Sequence, residues 1–246
     1  NCVGILHESG RNTFDAVQDF GARAVAEAAR AAGTTLTHIS AIGADAESES
    51  DYARTKGLAE DAIRKIVPGA VILRPSVVFG PEDDFFNRFA EMARFTPFLP
   101  LIGGGKTKFQ PVYVGDVAEM AARSVDGLLT PGTTYELGGP EVLTFRECME
   151  EMLTVIQRKR AFLPLPWGVA SLIGSVASLI PFIDPPITAD QVENLKKDNV
   201  VSEAAIKDGR TLPGQNIRAT AIESILPAYL VRYRPHGQYS GAGKSA

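Results

Sequence analysis

Tyr52-Ala53-Arg54-Thr55-Lys56 sets a phenol and an ammonium four residues apart. On an α-helix those two positions share one face, a turn apart. Ser50 or Asp51 is a competent N-cap, and Pro68-Gly69 stops the pattern, so the spacing predicts a helix from there to about Val67. On either side lie short apolar runs, residues 36–40 and 70–73, that read as strands. Upstream, Thr13 or Asp15 opens a helix through the alanine-rich residues 22–32, and Gly33 closes it as a C′ glycine. Residues 2–6 read as one more strand, buried. Strand–helix–strand–helix–strand at this spacing implies βαβ units and a parallel sheet. Ligands of such sheets sit at the carboxyl ends of the strands. That places residues 4–7, 40–43 and 75–80 on one rim, beside the Tyr52 helix.

The pattern is looser further on. Residues 84–95 read as a helix anchored by Phe85, Phe86 and Phe89, and residues 97–105 as a Pro/Gly-rich turn region. Residues 110–114 and 133–137 read as strands, with a helix between them capped by Asp116 and ending near Val125. Thr144 with Glu147 three residues on is a capping box. The last ten residues are polar and Gly/Ser-rich, as a frayed tail is.

With 246 residues the chain is long enough for one large α/β domain or a domain with a small lobe. It is 45% hydrophobic and 22% charged, ordinary for a globular protein. A net charge of −4 argues against a general nucleic-acid binder. Cys2 and Cys148 have neither metal-ligand spacing nor a disulfide framework. His7, His38 and His236 are scattered and read as structural or surface residues, so no metal site is expected. The chain opens without Met or signal peptide, straight into an apolar run. The expectation is that the first strands of the sheet lie upstream of Asn1.

Three further signals have competing readings. Gly103-Gly104-Gly105-Lys106-Thr107 resembles a phosphate loop, but Pro100 stands where its first glycine belongs, so a turn is the better reading. Glu82-Asp83-Asp84 suits the first turn of a helix, where carboxylates meet the positive end of the dipole, better than a metal site. Residues 161–183 carry no charged side chain, but prolines at 164, 166 and 181 shorten any helix to about 20 Å, too short for a bilayer core of about 30 Å. Val169, Leu172, Ile173, Val176, Leu179 and Ile180 form its apolar stripe, opposite a face of Gly, Ala and Ser. Either this helix packs in a groove of a C-terminal lobe, or the stretch from Arg158 to Ile183 closes on a partner or a membrane interface. Arg158-Lys159-Arg160 suits anionic headgroups or complements a helix C-terminus.

The Tyr52/Lys56 pair, Arg74-Pro75-Ser76-Val77-Val78-Phe79-Gly80-Pro81 and Pro111-Val112-Tyr113-Val114-Gly115-Asp116 together resemble the extended and atypical short-chain dehydrogenase/reductase superfamily, of the NAD-dependent epimerase/dehydratase type. Val3-Gly4-Ile5-Leu6, His38-Ile39-Ser40-Ala41, Phe79-Gly80-Pro81-Glu82-Asp83, residues 187–193 and Asp198-Asn199 are similar to the NAD(P)H-binding accessory subunits of respiratory complex I and their bacterial homologues.

The resemblance implies an α/β fold with a Rossmann-type parallel sheet and a small C-terminal lobe. It divides the chain into a partial NAD(P)-binding domain at 1–140, a substrate or docking lobe at 141–236 and a tail at 237–246. It implies Tyr52 as acid/base, and Lys56 as the group that binds the nicotinamide ribose and lowers the tyrosine pKa. Ser40 would be the remaining catalytic hydroxyl. Val3, Gly4 and Ile5 would line the adenosine and ribose side. Pro75, Ser76, Val77 and Val78 would meet the carboxamide. The cofactor is NAD or NADP, since the glycine-rich fingerprint and the 2′-reading residues are not in this sequence. One departure bears on activity: Ala41 stands where the family carries a catalytic Ser or Thr. Loss of such a group costs on the order of 10²-fold or more in rate.

The leading expectation is therefore a dinucleotide-binding protein whose cofactor is structural or slowly turned over, docked on a respiratory or membrane-associated assembly. Its place would be cytoplasmic or peripheral on the inner membrane, on the matrix side in a mitochondrion. The alternatives are an active oxidoreductase or epimerase acting on a sugar-nucleotide, quinone-like or isoprenoid carbonyl, and a cofactor-free scaffold.

Overall fold

The computed structural model describes residues 1–177 and 188–236. A π-helical turn, Asp15–Phe20, runs into α1 (Gly21–Ala31). Then come β1 (Thr37–Ile39), α2 (Asp51–Ile66), β2 (Val71–Pro75), β3 (Val78–Phe79), α3 (Phe86–Phe95), β4 (Phe98–Ile102), β5 (Lys108–Phe109), β6 (Val112–Tyr113), α4 (Val114–Val125) and β7 (Thr134–Leu137). The rest of the described chain forms β8 (Leu143–Thr144), α5 (Phe145–Val155), β9 (Ala161–Leu165), α6 (Trp167–Ala177), α7 (Ala189–Asn194), α8 (Glu203–Lys207) and α9 (Ile222–Leu230).

The strand–helix–strand reading holds. β1, β2 and β7 form a parallel sheet in that order, Thr37 opposite Val71 and Pro75 opposite Leu137. Ile72, Leu73 and Leu137 are almost completely buried, as strands covered on both faces are. The expected caps are in place. Thr13 Oγ1 accepts from Ala16 N–H, Ser50 Oγ from Ala53 N–H, and Thr144 and Glu147 close a reciprocal capping box. Gly33 takes the left-handed φ of +63° that a C′ residue needs. α1 is small-sided where it meets α2: Ala22, Ala26 and Ala29 pack with Leu36, Ala59, Ile63 and Ala70.

Residues 2–6 depart from expectation. They are not a strand, and Val3 (61% exposed) and Leu6 (51%) face solvent. Only Asn1 joins the ladder, donating to Thr37 O (2.7 Å) and accepting from Ile39 N–H (2.9 Å). An apolar run reads alike whether or not a second layer covers it, and no described segment covers this one. Two helix starts also shift. α3 begins at Phe86, where Asp83 Oδ1 accepts from the Phe86 (2.6 Å) and Asn87 (3.2 Å) N–H groups. That gives the Glu82-Asp83-Asp84 run its helix-terminal role. α4 begins at Val114, so Asp116 lies inside its first turn. The Asp116 carboxylate instead holds Thr220 through its N–H (2.7 Å) and hydroxyl (2.9 Å).

A second core lies beyond the sheet. Phe79, Phe86, Leu99, Leu101 and Phe109 pack there with Phe145, Met149, Met152, Leu226 and Tyr229. β9 pairs in parallel with β4, and α6 is seated at the end of that pair. Gly103 lies directly under the Trp167 indole, and Gly103, Gly104 and Gly105 all have positive φ, the turn expected in place of a phosphate loop.

In α6 the small residues, not the apolar stripe, make the closest packing contacts. The small face is buried: Ala170 is 1% exposed, and Gly174 abuts the Thr188–Ala189 backbone so closely that a Cβ would lie 2.7 Å from Ala189 N. Val169, Leu172 and Ile173 point outward, with Leu172 65% exposed. Small residues let two helices approach closely, and that wins over burying the larger side chains. The stripe positions 179 and 180 lie outside the described residues. Among the described residues no helix is long and apolar enough to cross a membrane.

Candidate functional site

The expected rim forms where β1 and β2 end. Ser40 N–H continues the ladder to Leu73 O (2.7 Å), Ile42 N–H to Pro75 O (2.9 Å) and Ser76 N–H to Leu137 O (2.9 Å). α2 lies beside this rim because its buried face fits closely. A Cβ on Gly57 would sit 2.3 Å from Ala46 N, so only glycine lets the helix touch the loop after β1. Beneath it a fully buried Glu60 ties α2 to β2. Its carboxylate accepts from Arg74 Nε (2.8 Å) and Nη2 (2.7 Å) and from Arg64 Nη2 (2.6 Å).

Lys56 is brought to the end of β1. Its side chain is buried, and Nζ donates to Ile39 O at 3.3 Å. Burial pulls its pKa down, against the opposing pull of Glu60. The 3–5 segment passes over it: a Cβ on Gly4 would lie 3.2 Å from Nζ. That segment is held by buried Gln18, which donates to Ile5 O (2.7 Å) and accepts from Thr55 Oγ1 of α2 (3.2 Å). Val3, Gly4 and Ile5 thus come beside Lys56, as irregular chain. Among the described residues the hydroxyl of Ser40 (4% exposed) has no partner, and neither has the Nε2 of buried His38, two residues earlier in the chain. Burial, and then the Lys56 charge, pushes the His38 pKa down to about 3.

Tyr52 stands one turn before Lys56, its ring edge-on to Phe14 at 5.9 Å. Here an expectation fails. The phenol pKa is not lowered by Lys56 but pushed up to about 12, by burial first and then by the Asp190 carboxylate. Both act against phenolate, and the Lys56 ammonium is engaged with Ile39 O instead.

Asp190, at the start of α7, was not singled out as functional by sequence reasoning. Its carboxylate accepts from Asp51 N–H (2.6 Å), Tyr52 N–H (3.3 Å) and Ser50 Oγ (3.1 Å). Asn199 was missed as well. Its Oδ1 accepts from Ser76 Oγ (2.7 Å) and Val77 N–H (3.2 Å), and its Nδ2 donates to Ile42 O (3.1 Å). The polar groups of Ser76 and Val77, expected at the carboxamide, are therefore engaged by Asn199; Pro75 is buried and Val78 half-buried in the β3–β6 pair. Both lie in stretches that carry the resemblance, but no local signal gives either a role. Thr188-Ala189-Asp190 reads as an ordinary helix start, and the reach across the fold is tertiary.

A cavity of about 430 Å³ opens next to this rim, lined by Leu6, His7, Asn87, Arg88, Gln191 and Tyr233 among others. Tyr52 and Lys56 are not part of its lining. Within that lining Gln191 Nε2 donates to Leu6 O (3.3 Å).

The arrangement fits a nicotinamide dinucleotide in one respect of its own structure: a buried hydroxyl without a partner and a buried ammonium with a single long hydrogen bond face the carboxyl end of a parallel strand. Comparison with known proteins bears out the resemblance drawn from the sequence. Residues 40–142 match the 3-beta hydroxysteroid dehydrogenase/isomerase family. The chain is 34% identical over 254 residues to NADH dehydrogenase [ubiquinone] 1 alpha subcomplex subunit 9, mitochondrial, of Arabidopsis thaliana, covering 98% of this chain and 62% of that protein. It is 34% identical over 203 residues to the protein of the same name from Mus musculus, covering 82% and 53%. The chain thus spans little more than half to three fifths of these relatives. Among solved structures, the UDP-glucose 4-epimerase of Thermus thermophilus, in complex with NAD, superposes with a TM-score of 0.64 at 20% identity, over 90% of this chain and 71% of that one. That likeness is one of fold.

Proposed function

We propose that this chain, of the short-chain dehydrogenase/reductase type and similar to complex I subunits, binds NAD or NADP at the carboxyl rim of its parallel sheet and holds it as a structural or slowly turned-over cofactor. The observation that carries the reading is the buried pair at the end of β1, the Lys56 ammonium and the unpartnered Ser40 hydroxyl. Lys56 would hold the nicotinamide ribose, with Val3, Gly4 and Ile5 on the adenosine side and residues 75–78 near the carboxamide. The cofactor supplies hydride chemistry. Tyr52 and Ser40 would be the catalytic groups, of which Tyr52 is kept protonated, and Ala41 supplies no hydroxyl. Residues 1–140 form the nucleotide-binding part and 141–236 the docking lobe.

The partners proposed are respiratory-complex subunits or the membrane surface beside them, met by the stretch from Arg158 to Ile183. Exposed Leu163, Val169, Leu172 and Ile173 support this, with Lys159 exposed at the basic end. In a mitochondrion the place would be the matrix side of the inner membrane; otherwise the cytoplasm.

The whole protein should purify with NADPH or NADH. Added cofactor at 100 times Kd should stabilise it by about 2.7 kcal/mol, a Tm rise of about 5–10 °C for a chain of this size. Lys56→Ala should abolish that rise. No bound nucleotide and no shift would leave the cofactor-free scaffold. An active oxidoreductase or epimerase is the second reading, favoured by a Tyr52 hydroxyl that is protonated near neutrality, as a donor to a carbonyl oxygen must be. Tyr52→Phe abolishes turnover in that case and leaves a structural cofactor in place. Leu172→Asp with Ile173→Asp should release the protein from its assembly or membrane fraction; unchanged sedimentation would refute the docking.

A further inference from the structure

We infer that Asp190 is a positioning residue, which fixes the first turn of α2 and through it the placement of Tyr52 and Lys56. The inference rests on the nucleotide site proposed above, but its geometry stands independently of any bound cofactor. The first turn of a helix leaves backbone N–H groups without intrahelical partners. In α2 those groups are divided between two sources. Ser50 Oγ takes Ala53 N–H (3.2 Å), the local cap. The Asp190 carboxylate takes Asp51 N–H (2.6 Å) and Tyr52 N–H (3.3 Å), and receives the Ser50 hydroxyl at 3.1 Å, so it also orients the local cap. A carboxylate at this end is further favoured by the helix dipole. Asp190 is itself held: Asn194 Nδ2 donates to it (3.4 Å), and the Thr188/Gln191 capping box fixes the turn that carries it.

The acid therefore reaches α2 from a different element, 139 residues further along the chain than Asp51. A helix capped only by its own side chains keeps its shape but not its position. One capped from another element is pinned in position. The element that pins it is α7, whose N-terminal backbone receives Gly174 of α6 at close range. The first turn of α2 is thus fixed to α7 as well as to the loop after its own strand β1, where Asp45 N–H donates to Ala53 O (3.1 Å).

The test uses the whole protein, with Asp190→Ala and Asp190→Asn, NADPH as the probe, and amide hydrogen exchange of residues 49–57. Asp190→Ala should weaken NADPH about tenfold, the order expected when charge-assisted hydrogen bonds at a helix start are lost. It should also speed exchange at 49–57 at least tenfold, with the second half of α2 unchanged. Asp190→Asn keeps the side chain's size but only one acceptor oxygen, whereas Asp51 N–H and Tyr52 N–H are held by different carboxylate oxygens. It should therefore recover only part of both losses; a general packing role would be restored in full by this isosteric change. Exchange at 49–57 that stays at the wild-type rate in both variants overturns the inference. Rapid exchange with equal NADPH affinity overturns the link to the nucleotide. If the wild-type protein binds no nicotinamide nucleotide, the functional reading falls and the exchange result alone decides the positioning. If Asp190→Ala does not fold, the Asn variant decides: exchange at 49–57 faster than wild type together with weakened NADPH supports the acceptor role, and wild-type exchange with wild-type affinity refutes it.

Discussion

Glu60→Gln isolates what the buried ion network contributes. The Glu60 side chain is 0% exposed and accepts three hydrogen bonds at 2.6–2.8 Å from Arg74 and Arg64. Glutamine keeps the size but offers one acceptor oxygen, and turns an NH₂ group toward two guanidinium ions. Removing one partner of a buried pair costs about 3–5 kcal/mol, because the other charge is left uncompensated. Here that residual cost is moderated. Arg74 is 22% exposed with Glu136 at 4.0 Å, and Arg64 is 39% exposed. Both cations can reach water or another acid, so the lower end applies, about 3 kcal/mol. At roughly 2–4 °C per kcal/mol for a chain of this size, Tm should fall by about 6–12 °C. Urea unfolding should show a lowered midpoint at an unchanged slope. Glu60 is also one turn from Lys56 and supports its charge, so nicotinamide nucleotide affinity should fall in parallel. Asp61→Asn, which removes only the exposed pair to Arg64, is the control and should stay within about 0.5 kcal/mol. A loss of under about 1 kcal/mol for Glu60→Gln would mean that the network breaks even with a neutral hydrogen-bonded core. The idea that it anchors α2 to β2 would then be wrong.

The remaining predictions concern the same helix and strand. His38 has its pKa pushed down to about 3 in the folded protein, against an ordinary value of 6.5. Between those values the unfolded chain takes up a proton that the folded one refuses, so stability falls as pH drops from about 6.5 toward about 3, by up to about 1.4 kcal/mol per pH unit. Chemical denaturation at several pH values should show this slope, and His38→Gln should flatten it; equal slopes would contradict the assignment. Gly57→Ala places a methyl 2.3 Å from Ala46 N and 2.5 Å from Asp45 C, backbone atoms that cannot rotate away. It should cost about 1–3 kcal/mol and weaken nucleotide binding, whereas the same change would be nearly free on an open helix face. A Tm equal to wild type would show that the 45–46 loop yields.

Much of the Rossmann-type framework was legible because its signals are local. The Ser50 cap, the Gly33 stop and the Thr144–Glu147 box each depend on residues within four positions of one another, and each lies where the sequence placed it. So does the parallel order of β1 and β2, which follows from the helix between them. What the sequence hid depends on partners far along the chain. Residues 2–6 have the apolar content of a strand but only Asn1 finds a ladder. The stripe of α6 was legible as a stripe, but which face packs was decided by Gly174 fitting against Ala189. Asp190 and Asn199 look like ordinary loop and helix-start residues until the fold brings them to Tyr52, Ser76 and Ile42.

The Tyr52 environment bears on whether this site turns over quickly. With a pKa near 12, the phenol must be deprotonated across about five pH units to serve as a base near neutrality. That is a cost of about 7 kcal/mol at 1.36 kcal/mol per unit. The family pattern implied that Lys56 would remove this cost, but its ammonium donates to Ile39 O and its own pKa is drawn down by burial. Donation of its proton to a carbonyl oxygen leaves the same phenolate behind, so the raised pKa hinders proton transfer in both directions. Ala41 supplies no hydroxyl, and Ser40, one residue earlier, carries the hydroxyl at the end of β1. Under the proposed function, a site that would grip through Lys56 and that resists forming phenolate would keep a dinucleotide rather than cycle it. Burial raises the tyrosine pKa first and the Asp190 carboxylate second, and that same carboxylate caps the turn that carries Tyr52, so it contributes both to the helix's position and to the low reactivity of the phenol.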